Sequence, residues 1–289
     1  MTKAKILMIQ GTSSGVGKSI LVTSLCRIIS DLGFRVSPFK AQNMSSNVYK
    51  ISKFEQISNI QAVQAFAART NPTWKNNPIL LLPLGDYMSN VFLKGKFYKS
   101  MHASNYYRDF VIKTGFPVVI DALETLRKDN DVIVIEGAGS PAEINIAKYD
   151  IANMLLAKRI NAPVILVSDI ERGGCFASIV GTMQLLKFKH QQLVKGFLIN
   201  KFRGDKTLLK DAIKYVEKSL NITCFGVIPK ITVSLPEEDS LDSNSDNSFK
   251  QDGEYSNEIL DNQIDILASE IKKNIKIDYI LERVLKLSR

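Results

Sequence analysis

Cysteine is scarce in this chain: Cys26, Cys175 and Cys224 are the only three in 289 residues. An odd count without metal-ligand spacing argues against a disulfide framework or a cysteine-ligated metal, and it fits a reducing cytoplasm. Histidine is scarcer still. His102 and His190 stand far apart, so no histidine-based triad or metal cluster is supported. Long apolar runs are missing; Ala162 to Val167 is among the longest and is far too short to cross a bilayer. The opening Met1-Thr2-Lys3-Ala4-Lys5 lacks the apolar core and cleavage site of a secretion signal. No membrane partner is expected. Acidic residues fall short of basic ones, 29 against 38, giving a net charge of +9. The lysines are scattered without an aromatic-basic stripe, so no nucleic-acid partner is expected. A genomic bias towards Lys, Ile and Asn explains the excess, as does an anionic small-molecule ligand.

What is present is a core and a loop. Hydrophobic residues make up 45% of the chain, enough for one large α/β domain, with or without an appendage. The run Gln10-Gly11-Thr12-Ser13-Ser14-Gly15-Val16-Gly17-Lys18-Ser19 follows the apolar segment Ile6–Ile9 and precedes the helical pattern Ile20–Ile29. A strand, a glycine-rich loop and a helix present backbone N–H groups to a phosphate. Lys18 adds charge near the β- and γ-phosphates, and Ser19 offers a hydroxyl to Mg²⁺. Five residues separate Gly11 from Gly17, one more than the usual four, and the usual spacing is met if Thr12 takes the first position. The expected cofactor-binding residues are Gly11, Thr12, Gly15, Val16, Gly17, Lys18 and Ser19.

Apolar runs at Ile6–Ile9, Val36–Phe39, Val132–Ile135, Val164–Val167, Val194–Ile199 and Phe225–Ile228 read as strands. Helical patterns fall between them at 18–32, 55–70, 104–128, 149–159, 175–188 and 205–219. This alternation predicts an α/β fold with a mostly parallel sheet and helices on both faces. Ligands in such folds sit beyond the C-terminal strand ends, where Gly11, Lys40, Glu136, Asp169 and Asn200 fall. We divide the chain into a phosphate-loop domain over 1–238, a polar, turn-rich linker over 239–257 and a helical tail over 258–289.

Other strand ends carry chemistry. Glu136-Gly137-Ala138-Gly139-Ser140 places a carboxylate where it could hold the Mg²⁺ of a bound nucleotide; a helix-capping turn is the alternative. Lys40, beside the loop, could neutralise a transferred phosphoryl group, although such a lysine is more often solvated. Arg172, within Asp169-Ile170-Glu171-Arg172-Gly173-Gly174, suits a carboxylate or phosphate, and a plain turn fits equally. Asn200 has the donor and acceptor to read an adenine edge. Cys175 opens a helix, where packing is the better explanation.

Together and in this order, these motifs resemble the synthetase domain of the cobyric acid synthases. That family belongs to the phosphate-loop group that includes dethiobiotin synthetase and cobyrinic acid a,c-diamide synthase. The matching runs include Gln10–Ser19, Pro38–Asn47, Gln61–Ala68, Asn77–Pro83, Glu136–Asn145, Asp150–Met154, Ser168–Gly174 and Lys195–Asp205, spanning roughly 5–241. Ser13 stands where the related partitioning ATPases carry an extra lysine, which argues against that branch. The resemblance implies an ATP-dependent ligase that amidates the b, d, e and g carboxylates of adenosylcobyrinic acid a,c-diamide through an acyl phosphate and ammonia. Lys18, Lys40 and Glu136 would then be catalytic. Ser19 and Glu136 would hold Mg²⁺, and Asn200 would contact adenine. Gln42, Asn43, Asp169 and Arg172 would lie near the corrinoid substrate.

The chain also departs from the family. Its usual C-terminal glutaminase is not found in these 289 residues, and the tail from Gln263 to Leu287 is similar to the stretch that normally follows it. Ammonia is therefore expected from solution or from a separate glutaminase subunit; a homodimer is compatible with the reading. Leu82 and Leu84 replace lysines usual in the family, Asn59 an arginine and Asn90 a glutamine. These losses leave open a weakened ATP-binding subunit that docks a glutaminase; a dethiobiotin-synthetase-like ligase is the remaining alternative.

Overall fold

Strands with a run of consecutive apolar residues are suited to burial on both faces, and six of them form the centre of this fold. The computed structural model of the protein describes residues 3–232 and 257–287. In chain order its strands are β1 (Lys5–Gly11), β2 (Val36–Phe39), β3 (Gln42–Met44), β4 (Val48–Lys50), β5 (Gln56–Ser58), β6 (Ile79–Gly85), β7 (Met88–Leu93), β8 (Lys96–His102), β9 (Val132–Glu136), β10 (Val164–Asp169), β11 (Val194–Phe202) and β12 (Thr223–Pro229). The main sheet runs β12-β11-β10-β1-β9-β2, with all pairs parallel. Its six strands match the six apolar runs expected from the sequence.

The main helices are α1 (Lys18–Asp31), α2 (Asn59–Ala67), α3 (Phe116–Asp129), α4 (Met154–Ile160), α5 (Cys175–Leu185), α6 (Lys210–Leu220) and α7 (Asn257–Asn274). Side chains alternate between the two faces of the sheet, so neighbouring residues join different cores. Met8, Ile135, Leu166 and Phe197 pack with Val119, Leu123, Leu156 and Ile179 from α3, α4 and α5. Leu7, Ile9, Val134 and Val167 pack with Leu25, Val63, Ile264 and Leu267 from α1, α2 and α7.

Two regions differ from expectation. The helix expected at 55–70 begins only at Asn59, because Gln56–Ser58 pairs antiparallel with Val48–Lys50 as β5 and β4. The helix expected at 104–128 starts as a wide π-type stretch over Tyr106–Gly115 before Pro117 opens the first turn of α3. Between these lies a second sheet, β3-β6-β7-β8, that the apolar runs did not signal. Its strands β7 and β8 carry Ser, Asn and Lys and lack a continuous buried run, whereas β6 does carry one, Ile79, Leu80 and Leu81, which is not among the strands expected from the sequence. The linker expected at 239–257 lies outside the described residues except for Asn257, where α7 begins.

Helix α7 lies on α1 and is tied there by charge as well as apolar area. Arg27 of α1 is fully buried, and its guanidinium pairs with Asp261 and, at 3.4 Å, with Asp265 of α7. Its Nη1 has no hydrogen-bond partner among the described residues, so those two carboxylates supply its compensation there. A buried charge left alone is strongly destabilising. Replacing both Asp261 and Asp265 by Asn is expected to lower unfolding free energy by about 3 kcal/mol, measured by denaturant titration. Arg27→Met should cost far less, since an apolar side chain needs no partner. Equal losses in the two variants would show that α7 is held by packing alone.

Candidate functional site

The phosphate loop begins where the ladder of the central strand ends. Gly11 is the last residue of β1, and the Thr12 N–H still donates to the Val167 carbonyl at 2.9 Å. The loop proper therefore starts at Thr12, leaving four residues before Gly17, as the usual spacing requires. The Thr12 hydroxyl donates to Ser168 Oγ at 3.1 Å. Gly17 sits at φ +97° directly before α1, in the region where L side chains are strained. A Cβ there would also lie 2.1 Å from Asn200 Nδ2.

Side chains hold the loop by its carbonyls. Asn200 Nδ2 donates to the Val16 carbonyl at 2.8 Å, and Lys201 Nζ donates to the Gly15 carbonyl at 2.7 Å while pairing with Asp169 at 2.9 Å. Lys201 is a site residue beyond those expected from the sequence, where its place beside Asn200 in the Asn-Lys-Phe-Arg-Gly-Asp run is its one signal. The Lys18 ammonium reaches back to the carbonyls of Ser13, at 3.1 Å, and Gly139, at 3.2 Å.

Glu136 ends β9 with no solvent exposure. Its Oε1 accepts from Ser19 Oγ at 2.9 Å and from Lys40 Nζ at 2.8 Å. Its Oε2 accepts from Gln64 Nε2 of α2. Lys40 is equally buried, so the alternative of a solvated surface lysine does not apply. Gln64 lies within the Gln61–Ala68 run but carries no site signal of its own in the sequence. It reads as one polar residue within a buried helix, and only the packing of α2 against α1 brings it to the carboxylate.

On the other face of β9, Asn153 clamps the glycine-rich turn. Its Nδ2 donates to the Ala138 carbonyl at 2.6 Å, and its Oδ1 accepts from the Ala138 N–H at 3.2 Å. Gly137 makes room for this, since a Cβ there would lie 2.2 Å from Asn153 Oδ1. Asp150 Oδ1 in turn accepts from Asn153 Nδ2 and N, at 3.1 and 3.0 Å. Burial pushes the Asp150 carboxyl up to about 7, opposed by hydrogen bonds from Asn153, Met154 and Ala152.

The remaining expected residues fall on the rim. Asp169 and Arg172 line a cleft of about 220 Å³ together with Thr12, Ser13, Gly15 and Gly173. Asn43 is turned to Ser58 and Gln61, at 2.9 Å each. Gln42 accepts from the Tyr106 hydroxyl at 2.7 Å. Leu82 lies opposite Asn90 across β6 and β7, Leu84 is exposed, and Asn59 is buried at the start of α2. All three cysteines are buried, and burial raises each thiol, Cys224 to about 11.

The donor set fits a nucleotide with a hard cation. Ser19 hydroxyl and Glu136 carboxylate are oxygen ligands of the kind Mg²⁺ uses, and phosphate oxygens normally complete its shell. No group of three metal-ligating His, Cys, Asp or Glu side chains exists among the described residues.

A family model described as the CobQ/CobB/MinD/ParA nucleotide binding domain matches residues 7–241. The probable cobyric acid synthase of Thermococcus kodakarensis is 51% identical over 240 residues, covering 82% of this chain and 49% of that protein. The cobyric acid synthase of Acaryochloris marina is 49% identical over 236 residues, covering 82% and 47%. The chain thus spans about half the length of the curated relatives it matches. The signal recognition particle receptor FtsY of Elizabethkingia anophelis, solved with GDP, has a TM-score of 0.45 at 12% identity, over 79% of this chain and 58% of that one. That likeness is too slight to argue from. Among the described residues no helix is long and apolar enough to cross a membrane.

Two outcomes follow from the geometry. Gly17→Ala should cost about 1–3 kcal/mol through its left-handed backbone and displace Asn200, abolishing nucleotide binding in a fluorescence titration. The Asp150 carboxyl titrates higher in the folded chain than in the unfolded one. Its contribution to stability is therefore full below about 3.8 and is lost as pH rises through about 7. Asp150→Asn should flatten the stability profile across that window; identical profiles would mean that the carboxyl ionises at its ordinary value.

Proposed function

The chain belongs to the family of CobQ/CobB/MinD/ParA nucleotide binding domains, and from that premise we propose that it is an ATP-dependent, amide-forming ligase of the cobyric acid synthase type. Its substrate in this reading is adenosylcobyrinic acid a,c-diamide, amidated at the b, d, e and g carboxylates. The observation that carries the reading is the buried Lys40–Glu136–Ser19 constellation beside the phosphate loop.

Each cycle has two displacements. A substrate carboxylate oxygen attacks the γ-phosphorus of ATP, and ADP leaves. Ammonia then attacks the acyl carbon, inorganic phosphate leaves, and the amide forms with loss of a proton. Positioning and charge neutralisation account for most of the catalysis in such transfers. The N–H groups of Gly15, Val16, Gly17 and Lys18 cradle phosphate oxygens, and the Lys18 ammonium exchanges carbonyl partners for the γ-phosphate. Ser19 and Glu136 would hold Mg²⁺, which when bound neutralises the polyphosphate. Lys40, already oriented by Glu136, neutralises the phosphoryl group in flight. Asn200 spends one N–H on Val16, leaving its Oδ1 to accept from an adenine amino group. Asp169 and Arg172, with Gln42 and Asn43, bound the region for the corrinoid carboxylates. None of the three cysteines is an exposed nucleophile, so ammonia reaches the acyl phosphate from solution or from a glutaminase outside the described residues. The reaction belongs to the cytoplasm, where ATP is available.

The test is incubation of the full chain with ATP, Mg²⁺ and adenosylcobyrinic acid a,c-diamide, comparing ammonium with glutamine and following products by mass. Stepwise exchange of OH for NH₂ with ammonium is expected. Lys40→Met should keep nucleotide binding and lower kcat by about 10²-fold or more. No exchange with either nitrogen source, despite ATP binding, would favour a subunit that only docks a partner glutaminase.

A further inference from the structure

Helix α2 is buried along nearly its whole length, yet it carries two glutamines, Gln61 and Gln64, with no solvent exposure. Neither is fully satisfied. Gln64 Oε1 and Gln61 Nε2 have no hydrogen-bond partner among the described residues. An apolar helix would serve packing better, so a polar side chain retained at that cost points to a task.

The orientation of Gln64 is not arbitrary. Its amide nitrogen faces two acceptors, Glu136 Oε2 and, at 3.5 Å, the Ser19 carbonyl. Turning the amide over would set its oxygen against a carboxylate, so the nitrogen must occupy this place. The amide thus holds one oxygen of Glu136 while the other receives Ser19 and Lys40. A carboxylate fixed at one oxygen has its plane fixed, and with it the direction in which the second oxygen presents its lone pairs. Gln61, one turn earlier, accepts from Asn43, which also donates to Ser58. The same helix face therefore joins β3 to the end of β9.

We propose that Gln64 is a positioning residue for Glu136, and that it sets how strongly this carboxylate engages a nucleotide-bound divalent cation. The proposal rests on the nucleotide-binding reading above. Partners that orient a metal-ligating carboxylate typically matter by 10–100-fold in metal affinity.

The experiment uses the full chain and a fluorescent ATP analogue, titrated with MgCl₂ and also bound without it. Gln64→Met removes the donor at nearly constant volume. It is expected to raise the Mg²⁺ midpoint for nucleotide binding about tenfold or more with Mg²⁺-free nucleotide affinity unchanged, while the lost donor to a buried carboxylate lowers the unfolding temperature. Gln64→Asn keeps the amide but withdraws it by one methylene from Glu136 Oε2, and is expected to shift the Mg²⁺ midpoint in the same direction. Native midpoints in both variants would overturn the proposal. So would equal losses with and without Mg²⁺, which would mean that Gln64 only packs α2. A native chain whose nucleotide binding ignores Mg²⁺ would instead remove the reading beneath it, and the proposal with that reading.

Discussion

A carboxylate with no access to water, placed at the end of a central strand, has to be compensated by its neighbours. Glu136 is that group, and the compensation comes from three separate elements. Ser19 arrives from the first turn of α1, Lys40 from the end of β2 and Gln64 from the middle of α2. Each contact fixes one element against β9. Desolvating such a pair costs energy that apolar residues would not. What it gains is a single arrangement in which a hydroxyl, an ammonium and a carboxylate converge beside the phosphate loop. Glu136 is thus both a joint of the fold and the candidate centre of its chemistry.

The loop itself is held by the groups that a phosphate would not use. Asn200 and Lys201 bond the carbonyls of Val16 and Gly15, and Lys18 bonds those of Ser13 and Gly139. Fixing carbonyl oxygens fixes the peptide planes, which sets the direction of the N–H groups on the opposite side. On the other face of β9, Asn153 performs the same service for Ala138, and Asp150 keeps Asn153 in its orientation. Little rearrangement is then needed when an anion replaces the carbonyls around Lys18, a form of preorganisation.

The segment from β3 to β8 follows a different logic. It is joined to the main domain through amides as well as through the apolar side chains of Ile79, Leu81 and Val91. Asn76 donates to Ser37 and the Pro38 carbonyl, and Asn77 donates to the carbonyls of Lys40 and Ile79. These bonds hold the backbone on either side of Lys40, so the second sheet takes part in placing that lysine. Helix α7 contributes from the opposite end by covering α1, the helix that carries Lys18 and Ser19.

Period and spacing alone determined a good deal. The six parallel strands were legible because strands buried on both faces carry runs of consecutive apolar residues, and β10, Val164–Asp169, shows this in Val164 to Val167. The loop was legible because glycines with a following Lys-Ser have one common use beside a strand. The placement of Gly11, Lys40, Glu136, Asp169 and Asn200 at strand ends followed from the strand limits. Tertiary structure alone decided the rest. Gln64 and Glu136 are 72 residues apart, and no local pattern marks a pair that meets only when α2 packs on α1. Strands β7 and β8 were hidden because half-exposed antiparallel strands mix polar and apolar residues. The partner of Lys40 was not legible, because the sequence cannot say which carboxylate will lie opposite a lysine. That is set by the order of strands in the sheet, and β9 lies next to β2. Sequence period reports what each segment buries; which buried groups face one another is fixed only by the assembly of the segments.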